Sequence, residues 1–267
     1  MVDAAEAIGK AREAVTNRAE LPGMSLMEHL DELRRRIVHS AIYLAIGFFV
    51  CWFFRDRLVG FIQAPLNRIG KSMVFTHPMD PLNLDLQVAL VGGAILASPF
   101  ILYQVWLFIA PGLYQRERRF VVPFMAATVG LFLGGAAFGY YYVLPGALKI
   151  LIVDFGHNFT SMVTIEDYTG FFRSIILGLG ISFEMPVLIF FLAMFGIVSP
   201  SFLWKNIRYA ILAVFLVAAI ITPSPDPWTM CIYAIPMLAL YLIGIGIAWY
   251  VHPSRRKAKE AAKEAAK

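Results

Sequence analysis

The sequence predicts an all-α integral membrane protein of six transmembrane helices, and composition, apolar run length and charge placement carry that reading. Hydrophobic residues make up 59% of the 267 positions and charged residues 15%, with a mean hydropathy of +0.69. A soluble domain averages about 45–50% apolar and about 25% charged, so this chain cannot furnish a water-facing exterior. Apolar runs fall at 37–54, 84–109, 120–143, 171–197, 207–222 and 230–250, and about 20 helical residues cross a hydrocarbon core. Of the 23 lysines and arginines, 17 lie in segments 1–36, 110–119, 198–208 and 251–267. The positive-inside rule puts those segments, and with them both termini, in the cytoplasm.

The domain plan is a mobile, Ala-rich cytoplasmic extension over 1–24, a six-span membrane domain over 25–250, and a charged cytoplasmic tail over 251–267. The spacing Ser25-Leu26-Met27-Glu28 matches a capping box, which predicts a helix starting near Leu26. Leu26, Leu30, Leu33 and Ile37 recur at helical spacing, with Glu28, Asp31, Glu32, Arg35 and Arg36 around the rest. That pattern predicts a short amphipathic interfacial helix leading into span one. Arg55 and Arg57 follow span one on the outer side, against the charge rule. Pro99, Pro186 and Pro236 fall inside spans two, four and six; each removes an amide donor, so bent helices enclosing a concave groove are expected. Between spans five and six, Thr222-Pro223-Ser224-Pro225-Asp226-Pro227 forbids a continuous helix and favours a tight reversal. Both of these spans read as short, and the bilayer beside them is expected to be thin.

The net charge of +5 is gathered in short clusters flanking apolar runs, which reads as topology control and excludes a nucleic-acid surface. Cys51 and Cys231 lie in apolar surroundings without ligand or CxxC spacing, and read as inert. Residues 1–36 are charged throughout, unlike a cleavable signal peptide. An enzyme is disfavoured: there is no HExxH or GxSxG, the five histidines are scattered, and no motif implies a cofactor or metal.

Three places remain for chemistry. Glu184, in Gly180-Ile181-Ser182-Phe183-Glu184-Met185-Pro186, stands near the centre of span four, where an ionised carboxylate costs at least about 2.5 kcal/mol. It is either a structural carboxyl, neutral or hydrogen-bonded to a neighbouring helix, or a functional group in a polar groove. The segments His29–Arg36 and Leu113–Arg119 each set a carboxylate among arginines. One reading is local pairing of Asp31 with Arg35 and Glu32 with Arg36, plus topology control. The other is a cytoplasmic face that takes guanidinium groups of a cationic peptide, since a carboxylate accepts two parallel hydrogen bonds from each. An alternative from a different class is a proton-coupled small-solute transporter using Glu184, though six spans without an inverted repeat argue against it.

These motifs, together with Pro99-Phe100-Ile101-Leu102-Tyr103-Gln104-Val105-Trp106-Leu107-Phe108-Ile109-Ala110-Pro111-Gly112-Leu113-Tyr114, resemble the TatC family, the six-span receptor subunits of the twin-arginine protein translocase. The resemblance runs from about Leu26 to Tyr250 and includes Ala64-Pro65-Leu66, Ser182-Phe183-Glu184-Met185-Pro186, Thr222-Pro223 with Asp226, and Ala234-Ile235-Pro236. It implies a non-enzymatic subunit of the bacterial inner membrane that binds the twin-arginine signal peptides of folded precursors. Export would proceed in a multimeric complex with TatA- and TatB-type single-span partners, driven by the proton-motive force. Signal-peptide recognition falls to Glu32 and Glu117, supported by Arg34, Arg36, Phe108, Leu113 and Tyr114, and Glu184 becomes the polar centre of the groove. Thr222, Asp226 and Met230 would contact partner helices, with Pro65, Pro99, Pro186 and Pro236 structural. Departures are Leu82 and Gln87, where relatives often carry an aromatic residue and a lysine, and Met230, where many carry glutamine. The first 24 residues also exceed the short leader usual in the family.

Overall fold

The computed structural model describes residues 26–109, 121–222 and 227–251. Helix α1 (Leu26–Phe53) is followed by α2 (Arg55–Arg68), strand β1 (Met73–Val74) and α3 (Asp80–Ile109). After α4 (Val121–Phe138) the chain passes through π-helical turns at Gly139–Val143 and Lys149–Asp154 on either side of the short α5 (Leu144–Leu148). Strand β2 (Val163–Thr164), α6 (Ile165–Ser182), α7 (Met185–Met194), α8 (Pro200–Lys205), α9 (Ile207–Ile221) and α10 (Pro227–Val251) complete it. Among the described residues, five stretches are long and apolar enough to cross a membrane: 27–53, 80–108, 123–154, 165–194 and 227–251. The shorter apolar helix α9 is the fifth of six spans in chain order.

The amphipathic segment is not a separate element. It runs unbroken into span one as a single 28-residue helix, because nothing between Leu26 and Phe53 removes a donor or demands a turn. Its apolar face is open to lipid, with Ile46, Phe49 and Phe53 exposed, and its packing is mainly against α3. There the two backbones meet. A Cβ on Gly47 would lie 2.6 Å from the carbonyl oxygen of Gly93, and one on Gly93 would lie 2.6 Å from the amide nitrogen of Phe48. Lipid tails are as apolar as the helices, so close approach through small residues supplies the van der Waals contact that joins them.

The prolines act differently from one another. Pro186 lies in the first turn of α7, just past the break at Phe183 and Glu184 that divides span four. Pro99 and Pro236 sit inside unbroken α3 and α10. Pro99 frees the carbonyl of Ile95, and the hydroxyl of Ser98 donates to that oxygen at 2.8 Å. Pro65, inside α2, likewise frees the carbonyl of Phe61, which accepts from the Tyr140 hydroxyl at 2.8 Å. The Tyr168 hydroxyl donates to the next carbonyl, Ile62, at 2.7 Å. Two tyrosines from spans three and four thus hold α2 across that end of the bundle.

The same end carries elements that apolar periodicity does not announce. Strands β1 and β2 pair in parallel, Met73 with Val163 and Val74 with Thr164. Span three continues to Asp154 through the turns around Pro145. Arg55, an exception to the charge rule, pairs with Asp85 on α3 at 3.3 Å and lies 5.2 Å from the Trp52 ring. Its charge is therefore met locally and weighs less on topology. The larger apolar cluster is also at this end and includes Leu66, Leu144, Tyr168, Ile175 and Tyr233. A smaller one, with Ile189, Ala193, Leu203 and Tyr241, lies towards the Glu32 end.

Span five is short, as the sequence predicts: its 15 residues rise about 22 Å, against about 30 Å of hydrocarbon. Span six is not. Helix α10 has 25 residues and rises about 37 Å, because Pro227 begins the helix, where a missing amide costs nothing, and the tryptophan turn joins the span. Cys51 and Cys231 are both free thiols, buried and half-buried respectively.

Candidate functional site

Three residues of α1, His29, Glu32 and Arg36, share one face because positions three and four or seven apart align on a helix. They meet Gln104 and Phe108, one turn apart on α3. The His29 ring stacks on Phe108 with centroids 4.4 Å apart. Arg36 donates through Nη2 to Glu32 Oε1 at 3.0 Å and through Nη1 to Gln104 Oε1 at 3.2 Å. The guanidinium therefore ties the first two spans together and sets the orientation of the carboxylate.

The remaining valences are the informative ones. Glu32 Oε2 and Arg36 Nε are buried and have no hydrogen-bond partner among the described residues. Glu32 is largely covered, its side chain 14% exposed. Among the described residues the carboxylate thus has one oxygen paired and one without a hydrogen-bond partner, in a partly desolvated setting where a charge-assisted hydrogen bond is strong.

Of the two local pairs expected, only Glu32 with Arg36 forms. Asp31 makes no ion pair among the described residues and faces, with Arg34 and Arg35, a shallow depression of about 320 Å³ that Val38 and His39 also line. The Arg35 carbonyl is engaged with the His39 ring at 2.6 Å. Arg34 is therefore on a different face from Glu32, since two residues apart on a helix is about 200° of rotation. Glu117, Leu113 and Tyr114 lie outside the described residues, as does Asp226.

Gln104 and Trp106 belong to this end and were not singled out from the sequence. Gln104 is only 4% exposed. An amide in the apolar second half of span two is the signal that marks it, by the rule that intramembrane polar groups are costly and engaged. Trp106 is buried, donates through Nε1 to the Thr128 hydroxyl at 3.3 Å, and packs edge-on to Phe191 at 4.7 Å. With Phe124 and Phe190 it makes an aromatic layer joining spans two, three and four behind Arg36.

Glu184 is half-buried at the break between α6 and α7, and its Oε1 is buried without a hydrogen-bond partner among the described residues. Along the helical run of span four it lies nearer the Glu32 end than the middle of that run. Span four begins at Ile165, earlier than the apolar run suggests, because Thr164 caps it by accepting from the Asp167 amide at 3.1 Å. Glu184 is then nineteen residues from Ile165 and ten from Met194, about 15 Å from the Glu32 end. Beside it, Met185, Ile189, Val214, Val217, Met237 and Tyr241 line an apolar depression of about 270 Å³ between spans four, five and six.

Thr222 is buried, and its hydroxyl donates to the Ala218 carbonyl at 2.8 Å, ending span five. Met230 is half-buried. Exposed side chains nearby include those of Leu212, Leu216 and Ile220, a stripe of three residues spaced four apart along α9, and Trp228 at the start of α10.

Residues 28–236 match the family model described as Sec-independent protein translocase protein (TatC). A Sec-independent protein translocase protein TatC of Koribacter versatilis is 51% identical over 264 residues, covering 97% of each chain. Its counterpart in Deinococcus radiodurans is 37% identical over 85% of this chain and 86% of its own. Among solved structures, a crystal structure of a twin arginine translocase receptor, TatC, is 35% identical with a TM-score of 0.77, over 84% of this chain and 99% of its own. The matched segment takes in five spans and the first part of the sixth, together with the Glu32 and Glu184 motifs: the chain belongs to the TatC family of Sec-independent protein translocase proteins.

Proposed function

We propose that this protein is the receptor subunit of a twin-arginine translocase, binding the signal peptides of folded precursors at the Glu32 end of spans one and two. The observation that carries the reading is the Glu32 carboxylate, held by Arg36 with its second oxygen buried and without a hydrogen-bond partner among the described residues. A guanidinium approaching that oxygen gains a charge-assisted bond without dismantling the Arg36 pair. Glu117 supplies a second carboxylate, with Leu113, Tyr114 and Phe108 offering apolar contact and Arg34, on another face of α1, adding charge at the same end of the helix. Two carboxylates for two arginines suit the consecutive arginines of the signal.

The protein sits in the bacterial inner membrane with both termini cytoplasmic, which the lysine and arginine asymmetry supports. It acts with TatA- and TatB-type single-span partners in a multimeric complex powered by the proton-motive force. The exposed stripe on α9, the residues Thr222, Asp226 and Met230, and the half-buried Glu184 within a concave wall provide the partner contacts. Export here requires no bond-making chemistry from this subunit, and the family match gives no support to a solute transporter.

Photocrosslinking in inverted membrane vesicles tests the site. A precursor with a probe beside its arginine pair should label the wild-type chain strongly and the Glu32→Ala, Glu117→Ala double variant at least about tenfold less, as expected for losing a charged hydrogen bond of about 1.5–3 kcal/mol. Undiminished labelling of the double variant, with normal amounts of the protein in the membrane, would refute the assignment.

A further inference from the structure

A cavity of about 560 Å³ lies at the end of the bundle opposite Glu32, between the last turns of span three, the start of span four and Gln87 of span two. Leu148, Leu151, Phe171 and Met162 make its apolar wall; Glu166, Asp167 and Arg173 of α6 supply its charge, and Gly170 lies on the same stripe as Glu166 and Arg173. Arg173 is exposed and eight residues into the helix, about 12 Å from its start. Its partner is the neutral amide of Gln87, at 3.2 Å, with no carboxylate within ion-pair distance among the described residues. Glu166 is exposed and makes no hydrogen bond or ion pair among the described residues, whereas neighbouring Asp167 is engaged by the Thr164 hydroxyl at 2.7 Å. Glu166 and Arg173 cannot satisfy each other, since seven residues separate them by about 10.5 Å along the axis. A Cβ at Gly170, between them, would meet nothing within 4 Å.

We infer that this cavity is a binding site for a zwitterionic aminophospholipid, with phosphate on Arg173 and Gln87 and ammonium on Glu166. An arginine at this depth with only an amide partner is costly unless an anion reaches it. The order of charges fits a lipid of the adjacent leaflet: cation deeper, where the phosphate lies, and carboxylate nearer water, where the amine lies. The apolar wall follows the acyl chains, and Gly170 leaves room for the head group. A purely anionic lipid would satisfy Arg173 but place its remaining polar head against an unpaired carboxylate. A trimethylated head group cannot donate a hydrogen bond to Glu166.

Native mass spectrometry of the full chain, purified in mild detergent and mixed with equimolar phosphatidylethanolamine, phosphatidylglycerol and phosphatidylcholine, tests this. Wild type should retain one phosphatidylethanolamine with about fivefold preference over the other two, the yield of one exposed ion pair. Arg173→Leu should lose all three lipids to background, and Glu166→Gln should keep a bound lipid but erase the preference. Gly170→Leu, which fills the cavity from an open position, should exclude lipid while the melting temperature holds. Equal retention of the three lipids by wild type, a preference for phosphatidylglycerol, or an unchanged adduct in Arg173→Leu and Gly170→Leu would each overturn the proposal.

Discussion

The pairing of Pro65 with Tyr140 predicts a conditional hydrogen bond that a double-mutant cycle isolates. Pro65 has no amide to give the Phe61 carbonyl, and the Tyr140 hydroxyl fills that vacancy at 2.8 Å from another span. Tyr140→Phe deletes only the hydroxyl. Its ring stays stacked on Phe61, with centroids 4.1 Å apart and planes within 9°. Because Tyr140 is 6% exposed, water cannot easily replace the lost donor. The carbonyl is left unpaired at a cost of about 1–2 kcal/mol. In the Pro65→Ala background the new amide supplies the donor from within α2, and the same change should cost at most about 0.5 kcal/mol. The coupling is therefore about 1 kcal/mol, whatever Pro65→Ala does on its own, since packing and chain-entropy effects of that residue cancel in the cycle. Unfolding of the four proteins in mixed micelles, followed by circular dichroism against increasing sodium dodecyl sulfate, measures it. Equal costs of Tyr140→Phe in both backgrounds would show that the proline and the hydroxyl are unrelated.

Close packing of spans one and two makes Gly93→Ala destabilising by about 1–3 kcal/mol, because the new methyl sits 0.8 Å inside ordinary contact with rigid backbone. Gly134→Ala, with nothing within 4 Å, should be neutral or stabilising by up to about 1 kcal/mol in the same unfolding assay. Gln104→Leu removes the amide that steadies Arg36, so crosslinking of the signal peptide should fall about fivefold, the worth of about 1 kcal/mol, while membrane insertion is normal. Unaltered crosslinking would mean that Arg36 needs no support from span two. Glu184→Leu should raise thermal stability by about 1 kcal/mol, as an unpartnered buried oxygen is removed, and lower precursor transport. A stabilised variant with full transport would make Glu184 dispensable.

Much of the fold was legible in one dimension because the bilayer imposes a length. A run of about 20 apolar residues can be little else than a span, so the six crossings and the shortness of span five could be read directly. The ends were less legible. Span four starts at Ile165 and span three reaches Asp154, where polar residues share the helix with apolar ones and hydropathy no longer reports its limit. The sequence also marks Pro99, Pro186 and Pro236 alike, although only Pro186 adjoins a helix break. Whether a proline interrupts a helix depends on what else reaches the freed carbonyl, as Ser98 does for Ile95.

The sequence by itself determined the crossings, the uneven distribution of charge between the loops and the cost of Glu184, because each follows from local spacing or from the solvent a span must meet; of the two local pairs it offered, the structure kept Glu32 with Arg36. Only the tertiary structure decided that Gln104 completes the Arg36 contact, 68 positions away, that Tyr140 serves Phe61 across 79, and that Arg173 is left with an amide, 86 away, as its partner. Those pairings join groups on different spans, and their geometry is set by how helices without a hydrophobic drive between them pack through small residues such as Gly47 and Gly93.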